Sequence, residues 1–377
     1  HLPLAQAVRV QASGRHFSCP MRFRVGVICT CLLSARSGSG PSEPVEDAGF
    51  HGLRFVVHKG TEGLGDRLQQ LLMVLRYARA TGRALVLDWR DPKFARDGGF
   101  NFEDFFRLRK VDVFNSNAFL FIWRRLQQHL RVRPAMFRHH LDAITEAHWN
   151  FLKFPENNTR MNAIANGDAE DYSEEVVVVA GDQHRYYHYE EIVNLRLRRW
   201  MADKVRRYML REGLKKDDYV VVHLRGGDKP WKCEEAATWF YKPNTERFQT
   251  AANKWPTLDG YIEYMKKELA RTNLNLRVVV VTDTPCLKER WNELCAGGSC
   301  ASGSIPTRPK QRQRRLIENS VLDFALMSMA ARVVGDGHSL FATMAEKCRA
   351  TGKMNLLGLH DEDGPFRGWD PDEWEEP

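Results

Sequence analysis

The stretch Tyr219-Val-Val-Val-His223-Leu-Arg225-Gly-Gly-Asp228-Lys229 sets an apolar run directly against His, Arg, Asp and Lys. A guanidinium offers a planar fork of donors that matches a diphosphate, so Arg225 is a candidate anion grip. The apolar run reads as a buried strand, and open parallel sheets bind ligands at the carboxyl ends of their strands. Gly226 and Gly227 permit a sharp turn or a close approach of backbone to ligand. Alone, the pattern equally fits a strand that ends in a solvated charged turn, so its meaning depends on what else the fold brings beside it.

Two other turns offer anion chemistry. Lys59-Gly-Thr-Glu-Gly63-Leu-Gly65-Asp66-Arg67 lies between a strand over Leu53–His58 and a helix with Leu68, Leu71, Leu72, Leu75 and Ala78 on one face. Gly82 ends that helix and Ala84–Trp89 is the next strand, which makes a βαβ unit with a GxG turn at its first crossover. Backbone N–H groups at such a helix start favour anions or sugar hydroxyls, although a tight strand-to-helix turn has the same signature. Near the other end, Val333-Val334-Gly335-Asp336-Gly337-His338-Ser339 reads as a short strand, a glycine turn and a helix start, with Ser339 suited to phosphate. A further strand, Arg277–Asp283, ends in Thr282 and Asp283 and makes Asp283 another strand-end candidate.

With Glu234-Glu235-Ala-Ala downstream of Lys229, these stretches together resemble the fucosyltransferases that use GDP-fucose. The likeness is to the α-1,6-fucosyltransferases, including the nodulation-protein Z type, with the protein O-fucosyltransferases more distant, and it covers roughly residues 50 to 350. It implies a GT-B-like α/β fold: an N-terminal Rossmann-like, acceptor-side domain over 50–205 and a C-terminal Rossmann-like GDP-sugar-binding domain over 206–360, facing a cleft. It implies an inverting transfer of fucose from GDP-fucose to a glycan or glycoprotein hydroxyl. No DxD carboxylate pair ends a strand in the cleft-forming segments, so no metal cofactor is expected. In that family the N-terminal turn faces the cleft, which makes Gly63, Gly65 and Arg67 donor-side contacts. His223 and Asp323 would hold guanine, since a carboxylate accepts two hydrogen bonds from the guanine edge. Arg225 and the Ser339 turn would neutralise the diphosphate. Glu235 would take the acceptor proton, with Asp228 and Lys229 nearby. The family pattern D-K-x-x-x-E-A-A is departed from by two extra residues between Lys229 and Glu235, so Glu234 competes as the base. The chain has His338-Ser339 where the family has paired serines, which leaves the phosphate donor at that turn open. A protein O-fucosyltransferase and a non-catalytic GDP-sugar- or glycan-binding relative are the alternatives.

The elements that must position these residues are read with varying clarity. Phe100, Phe102, Phe105 and Phe106 read as core, Trp123–Arg133 as a basic amphipathic helix face, and Asn162–Glu175 as a polar loop. Val176–Ala180 is a buried strand followed by His184, which reads as a structural histidine. Leu195–Leu210 reads as an arginine-rich helix between the halves. A helix over Leu258, Tyr261, Ile262, Met265 and Leu269 starts from Thr257 as cap. Residues 308–315 form a basic loop. In the helix Ile317–Arg332, Val321, Leu322, Ala325 and Met329 point inward, and Asp323 breaks the apolar pattern.

A chain of 377 residues with 43% hydrophobic content and a net charge of +8 is globular, long enough for two cores and suited to an anionic ligand. No zinc-ligand spacing or aromatic RNA-binding pattern accompanies the charge, which argues against nucleic acid. Residues 1–49 read as leader and linker. Within them Met21, Arg22, Arg24 and the apolar run Val25–Leu33 have the layout of a secretory signal, too short to span a bilayer as a helix. If 21–40 act as a signal, the protein belongs in the Golgi or ER lumen; otherwise it is cytoplasmic, and that segment is its only route to a membrane. The sequon Asn157-Asn158-Thr159 and a loop closed by Cys295 and Cys300 matter only on the secretory route. Residues 361–377 form an acidic tail.

Overall fold

The computed structural model describes residues 54–60, 63–89, 101–109, 111, 113–114, 116–126, 130–139, 155–180, 188–225, 258–272, 274–282, 285–294, 300–302, 313–335, 337 and 339–358. All of them belong to one compact unit, Arg54–Pro377. In chain order its first part contains β1 (Phe55–Lys59), α1 (Leu64–Thr81), β2 (Ala84–Asp88), α2 (Phe102–Phe105), β3 (Phe106–Leu108), β4 (Val113–Phe114), α3 (Ser116–Leu126), β5 (Val132–Arg133), α4 (Pro155–Asn166), β6 (Val176–Ala180), β7 (Leu195–Leu197) and α5 (Arg199–Arg211). Its second part contains β8 (Tyr219–Leu224), α6 (Leu258–Arg271), β9 (Arg277–Thr282), α7 (Pro285–Leu294), β10 (Cys300–Ser302), α8 (Gln313–Met329), β11 (Arg332–Val334) and α9 (Leu340–Ala350).

Two parallel sheets follow, in the orders β4-β2-β1-β6-β5 and β10-β9-β8-β11, with β3 and β7 forming a separate antiparallel pair. The central strands are apolar throughout because both faces are covered, as parallel sheets require. Strand β8 shows this residue by residue. Tyr219 and Val221 face a core that α1, α8 and α9 share with both sheets, while Val220, Val222 and Leu224 face Tyr261, Ile262 and Met265 of α6 and Trp291 of α7. The period of two therefore assigns His223 to the Tyr219–Val221 face. Helix α1 is buried along most of its length, packing on α4 and on α9 of the second part. It stops at Gly82, whose φ of 66° is the left-handed C-cap conformation that glycine adopts without strain.

Local sequence reading fails where partners lie far away. Asn162–Glu175 is not all loop, because α4 starts at Pro155 and runs to Asn166. It buries Met161 and Ile164, three positions apart, and so shows little apolar face. Trp123–Arg133 is not one helix, since α3 ends at Leu126 and Val132–Arg133 instead pairs with Val176–Val177 of β6. Leu195–Leu197 is a strand because Phe106–Leu108 is available to pair with it, and the helix behind it starts only at Arg199. Phe102, Phe105 and Phe106 are core, as their type implies. No helix among the described residues is long and apolar enough to cross a membrane.

Candidate functional site

The strongest constraint on the site is a contact between helix ends. Gly65, in the first turn of α1, is packed so closely on the start of α9 that a methyl group there would stand 2.7 Å from Phe341 Cα and 2.8 Å from Phe341 N. Only a residue without a side chain allows this approach. The amino-terminal ends of two helices, one from each part of the unit, are thus held against each other. Each such end carries N–H groups without intrahelical acceptors and a partial positive charge of about half a unit. Gly63, the exposed N-cap of α1, is in extended conformation and supplies no side-chain cap. Ser339, the buried N-cap of α9, accepts a 3.5 Å hydrogen bond from Ala342 N. Asp66 is the acidic residue in the first turn of α1.

The end of β8 arrives at the same place. His223 is buried, and its ring centroid lies 5.8 Å from that of Phe341, which lies 5.8 Å from that of Phe324 on α8. Arg225 follows as an exposed residue at the strand's carboxyl end, its backbone N–H donated to the Tyr261 hydroxyl at 3.2 Å. Asp323, beside Phe324, is 6% exposed, so it is an interior acid and not a helix-surface one. Its charge reaches Tyr208 of α5, whose phenol is pushed well up first by burial and then by Glu212 and Asp323. The structure therefore brings Gly65, Ser339 and His223 together at the start of α9, with Gly63 as the N-cap just ahead of Gly65 on α1, Arg225 two residues beyond His223 at the strand end, and Asp323 beside Phe324. Asp228, Lys229, Glu234, Glu235, Asp283 and His338 lie outside the described residues, as do His184 and Thr257.

Arg67 takes a position its sequence context does not reveal. It is fully buried, donates from Nη1 to the Trp89 carbonyl at 2.8 Å and lies 5.7 Å from the Trp89 ring centroid. It lines a small cavity with Leu64, Phe105, and Ile317 and Val321 of α8. Trp89 is held in turn by donating from Nε1 to His58 Nδ1 at 3.1 Å, which makes the other ring nitrogen, 3.4 Å from Gln70 Oε1, the protonated one. Burial, opposed by the Gln70 bond and reinforced by the Arg67 charge, lowers the pKa of His58 from 6.5 to about 3. Beside it, Lys59 and Asp88 form a buried ion pair at 2.5 Å across β1 and β2. The Trp89 ring also covers Gly60, where a methyl group would meet it at 2.5 Å. Sequence reasoning missed Trp89, His58 and Phe341 as parts of the site. The one available signal was a Trp at a strand's carboxyl end, because His58 and Phe341 look like ordinary core.

No protein-family model and no curated protein sequence matches the chain. Solved structures do match it in fold. NodZ α-1,6-fucosyltransferase soaked with GDP-fucose superposes with a TM-score of 0.52 at 17% identity, covering 78% of this chain and 92% of that one. Fucosyltransferase NodZ from Bradyrhizobium gives a TM-score of 0.52 at 17% identity over 78% and 92% of the two chains. POFUT1 in complex with GDP-fucose gives 0.49 at 16% identity over 78% and 93%. The mixed α/β architecture with two parallel sheets is that of the NodZ structures, which makes the expected GT-B-like fold the observed one.

Proposed function

We propose that the chain is a glycosyltransferase that moves fucose from GDP-fucose to a glycan hydroxyl with inversion and without a metal cofactor. The observation that carries the proposal is the meeting of the α1 and α9 amino-terminal ends beside the His223–Arg225 strand end, in a fold shared with a NodZ structure soaked with GDP-fucose. The arrangement suits a nucleoside diphosphate. Joined helix ends and the Arg225 guanidinium attract a diphosphate, and fixed donors act where negative charge grows on the leaving group. His223 and the interior carboxylate of Asp323 provide the polar edge that guanine needs, since buried polar groups select for a partner that satisfies them. The sugar–oxygen bond breaks through an oxocarbenium-like state while the acceptor hydroxyl loses its proton to a carboxylate. Glu235 fills that role on the Glu-Ala-Ala pattern, with Glu234 as competitor and Asp228 and Lys229 in the same segment. The reaction belongs in the secretory pathway if residues 21–40 act as a signal, and in the cytoplasm otherwise.

The test is selective stabilisation followed by turnover. GDP is expected to raise the melting temperature clearly more than UDP or ADP, since ligand that binds only the folded state stabilises it in proportion to its affinity. GDP-fucose with mixed glycan acceptors is then expected to give a fucose mass shift and released GDP. Equal stabilisation by all three nucleotides would remove guanine recognition, and with it this function.

A further inference from the structure

A second recess lies away from the helix ends, where β3, β7 and the start of α5 meet. It is a groove of about 490 Å³ whose walls include Arg107, Arg198, Arg199, Trp200 and Asp203. That volume falls within the usual range for small-ligand sites. We infer that this groove binds an acidic saccharide, sulfated or carboxylated, with the arginines on its anionic groups and Trp200 against a sugar face. The inference is independent of the donor site and of the function proposed above.

Trp200 and Arg199 stay exposed at the groove. Trp200 is 38% exposed, and its indole N–H already goes to the Asp104 carbonyl at 3.0 Å. Its ring packs 5.7 Å from Phe105, which fixes it as a rigid platform. What it offers a ligand is therefore ring surface, the part that stacks on apolar faces. Arg198 donates from Nε to the Glu103 carbonyl at 2.7 Å, which anchors the side chain through one of its nitrogens. Arg107 has a buried Nε with no hydrogen-bond partner among the described residues. Arg199 is 73% exposed and reaches Asp203 only at 4.0 Å, while Asp203 is engaged at 2.9 Å by Arg206. Three guanidiniums thus line the groove with one carboxylate, and Arg206 already engages that carboxylate. Guanidinium forks bind planar or tetrahedral oxyanions bidentately.

The carboxylate decides between ligand classes. The acidic side chains of a peptide bring like charge to Asp203 and no ring face to stack on Trp200. A saccharide brings hydroxyls that Asp203 can accept from, as well as the anionic groups the arginines take. The groove carries the mixed set of cation, acceptor and aromatic face that an acidic sugar uses, and a purely anionic segment would leave the acceptor opposed.

Calorimetric titration of the full chain tests this with four probes: a sulfated heparin-type tetrasaccharide, the same backbone desulfated and N-acetylated, inorganic sulfate, and a peptide of the chain's own acidic residues 361–377. The sulfated tetrasaccharide is expected to bind at least tenfold more tightly than each of the others. Arg199→Glu, whose side chain is exposed and outside the core, is expected to weaken it about tenfold or more and to leave the melting temperature unchanged. Trp200→Ala is expected to weaken it, with a retained cooperative melting transition as the check on folding. Equal binding of the acidic peptide would overturn the saccharide assignment in favour of the chain's own tail. Equal binding of inorganic sulfate would reduce the groove to an adventitious ion site, and no effect of Arg199→Glu would remove the groove from the interaction.

Discussion

Replacing Gly65 by alanine tests the site at its most constrained point. The added methyl group would stand 2.7 Å from Phe341 Cα, 2.8 Å from Phe341 N and 3.1 Å from the Leu340 carbonyl carbon. All three are backbone atoms, so no side-chain rotation relieves the contact. Carbon atoms rest at about 3.5–4.0 Å, and the two helix ends must therefore separate by roughly 1 Å. Overpacking of this kind costs about 1–3 kcal/mol, against which alanine returns up to about 1 kcal/mol of helix propensity. The net loss of stability is small and the melting temperature falls by only a few degrees. Ligand binding is hit harder. A hydrogen bond near 2.9 Å that lengthens by roughly 1 Å is no longer a hydrogen bond, and one charge-assisted bond is worth about 1.5–3 kcal/mol, or about ten- to a hundredfold in affinity. Gly63→Ala is the control, because a methyl group there meets only Asp66 Oδ2, at 3.3 Å, within 4 Å. Calorimetry of GDP binding to the two variants reads the difference. Gly65→Ala binding GDP as tightly as Gly63→Ala and the parent would refute the idea that the abutted helix ends form the diphosphate site.

Two further perturbations follow from the same geometry. His58 is neutral when folded, with its pKa lowered from 6.5 to about 3, so its contribution is complete above pH 6.5 and is lost as pH falls toward 3 while the unfolded chain takes up the proton. Denaturant unfolding should show the parent losing about 1 kcal/mol more than His58→Gln between pH 6.5 and 5.5, and parallel pH profiles would count against that histidine. For the proton acceptor, Glu235→Gln assayed with EDTA should retain GDP binding and lose transfer by about a hundredfold or more. Glu234→Gln should stay active, and loss of parent activity in EDTA with recovery on Mn²⁺ would sink the metal-free scheme.

What could be read from the sequence depended on how local its cause was. Strand β8 was legible because a strand covered on both faces is apolar at every position, whatever lies on either side. The turn at Gly63 and Gly65 was legible as a helix start, but its meaning was not. Glycine at position 65 is required by the backbone of Leu340 and Phe341, which no local pattern announces. Arg67 reads as a donor-side contact through the resemblance and lies fully buried against Trp89, because the interior offers a carbonyl and an aromatic ring to hold it. Asp323 was recognisable as a break in an apolar stripe, and only packing shows that the break points inward. Helix α4 and strands β5 and β7 were hidden for a common reason: short elements with little apolar periodicity exist through partners distant in sequence.

Charge arithmetic sets the share that each element must supply on the proposed reading. Two helix ends together present about one positive charge. Asp66 in the first turn of α1 subtracts from that. A terminal phosphate alone carries about two negative charges near neutrality. The helix ends can therefore orient a diphosphate and cannot balance it as the sugar departs. Lys59 does not close the gap, since its charge is spent on Asp88 in a buried pair. Arg225 is the cation that the described strand end puts forward, exposed and fixed through its backbone to Tyr261. A single guanidinium brings the positive charge to about two and Asp66 takes the net back to about one, which is why metal-free transfer also asks for the ammonium of Lys229 in the segment that follows.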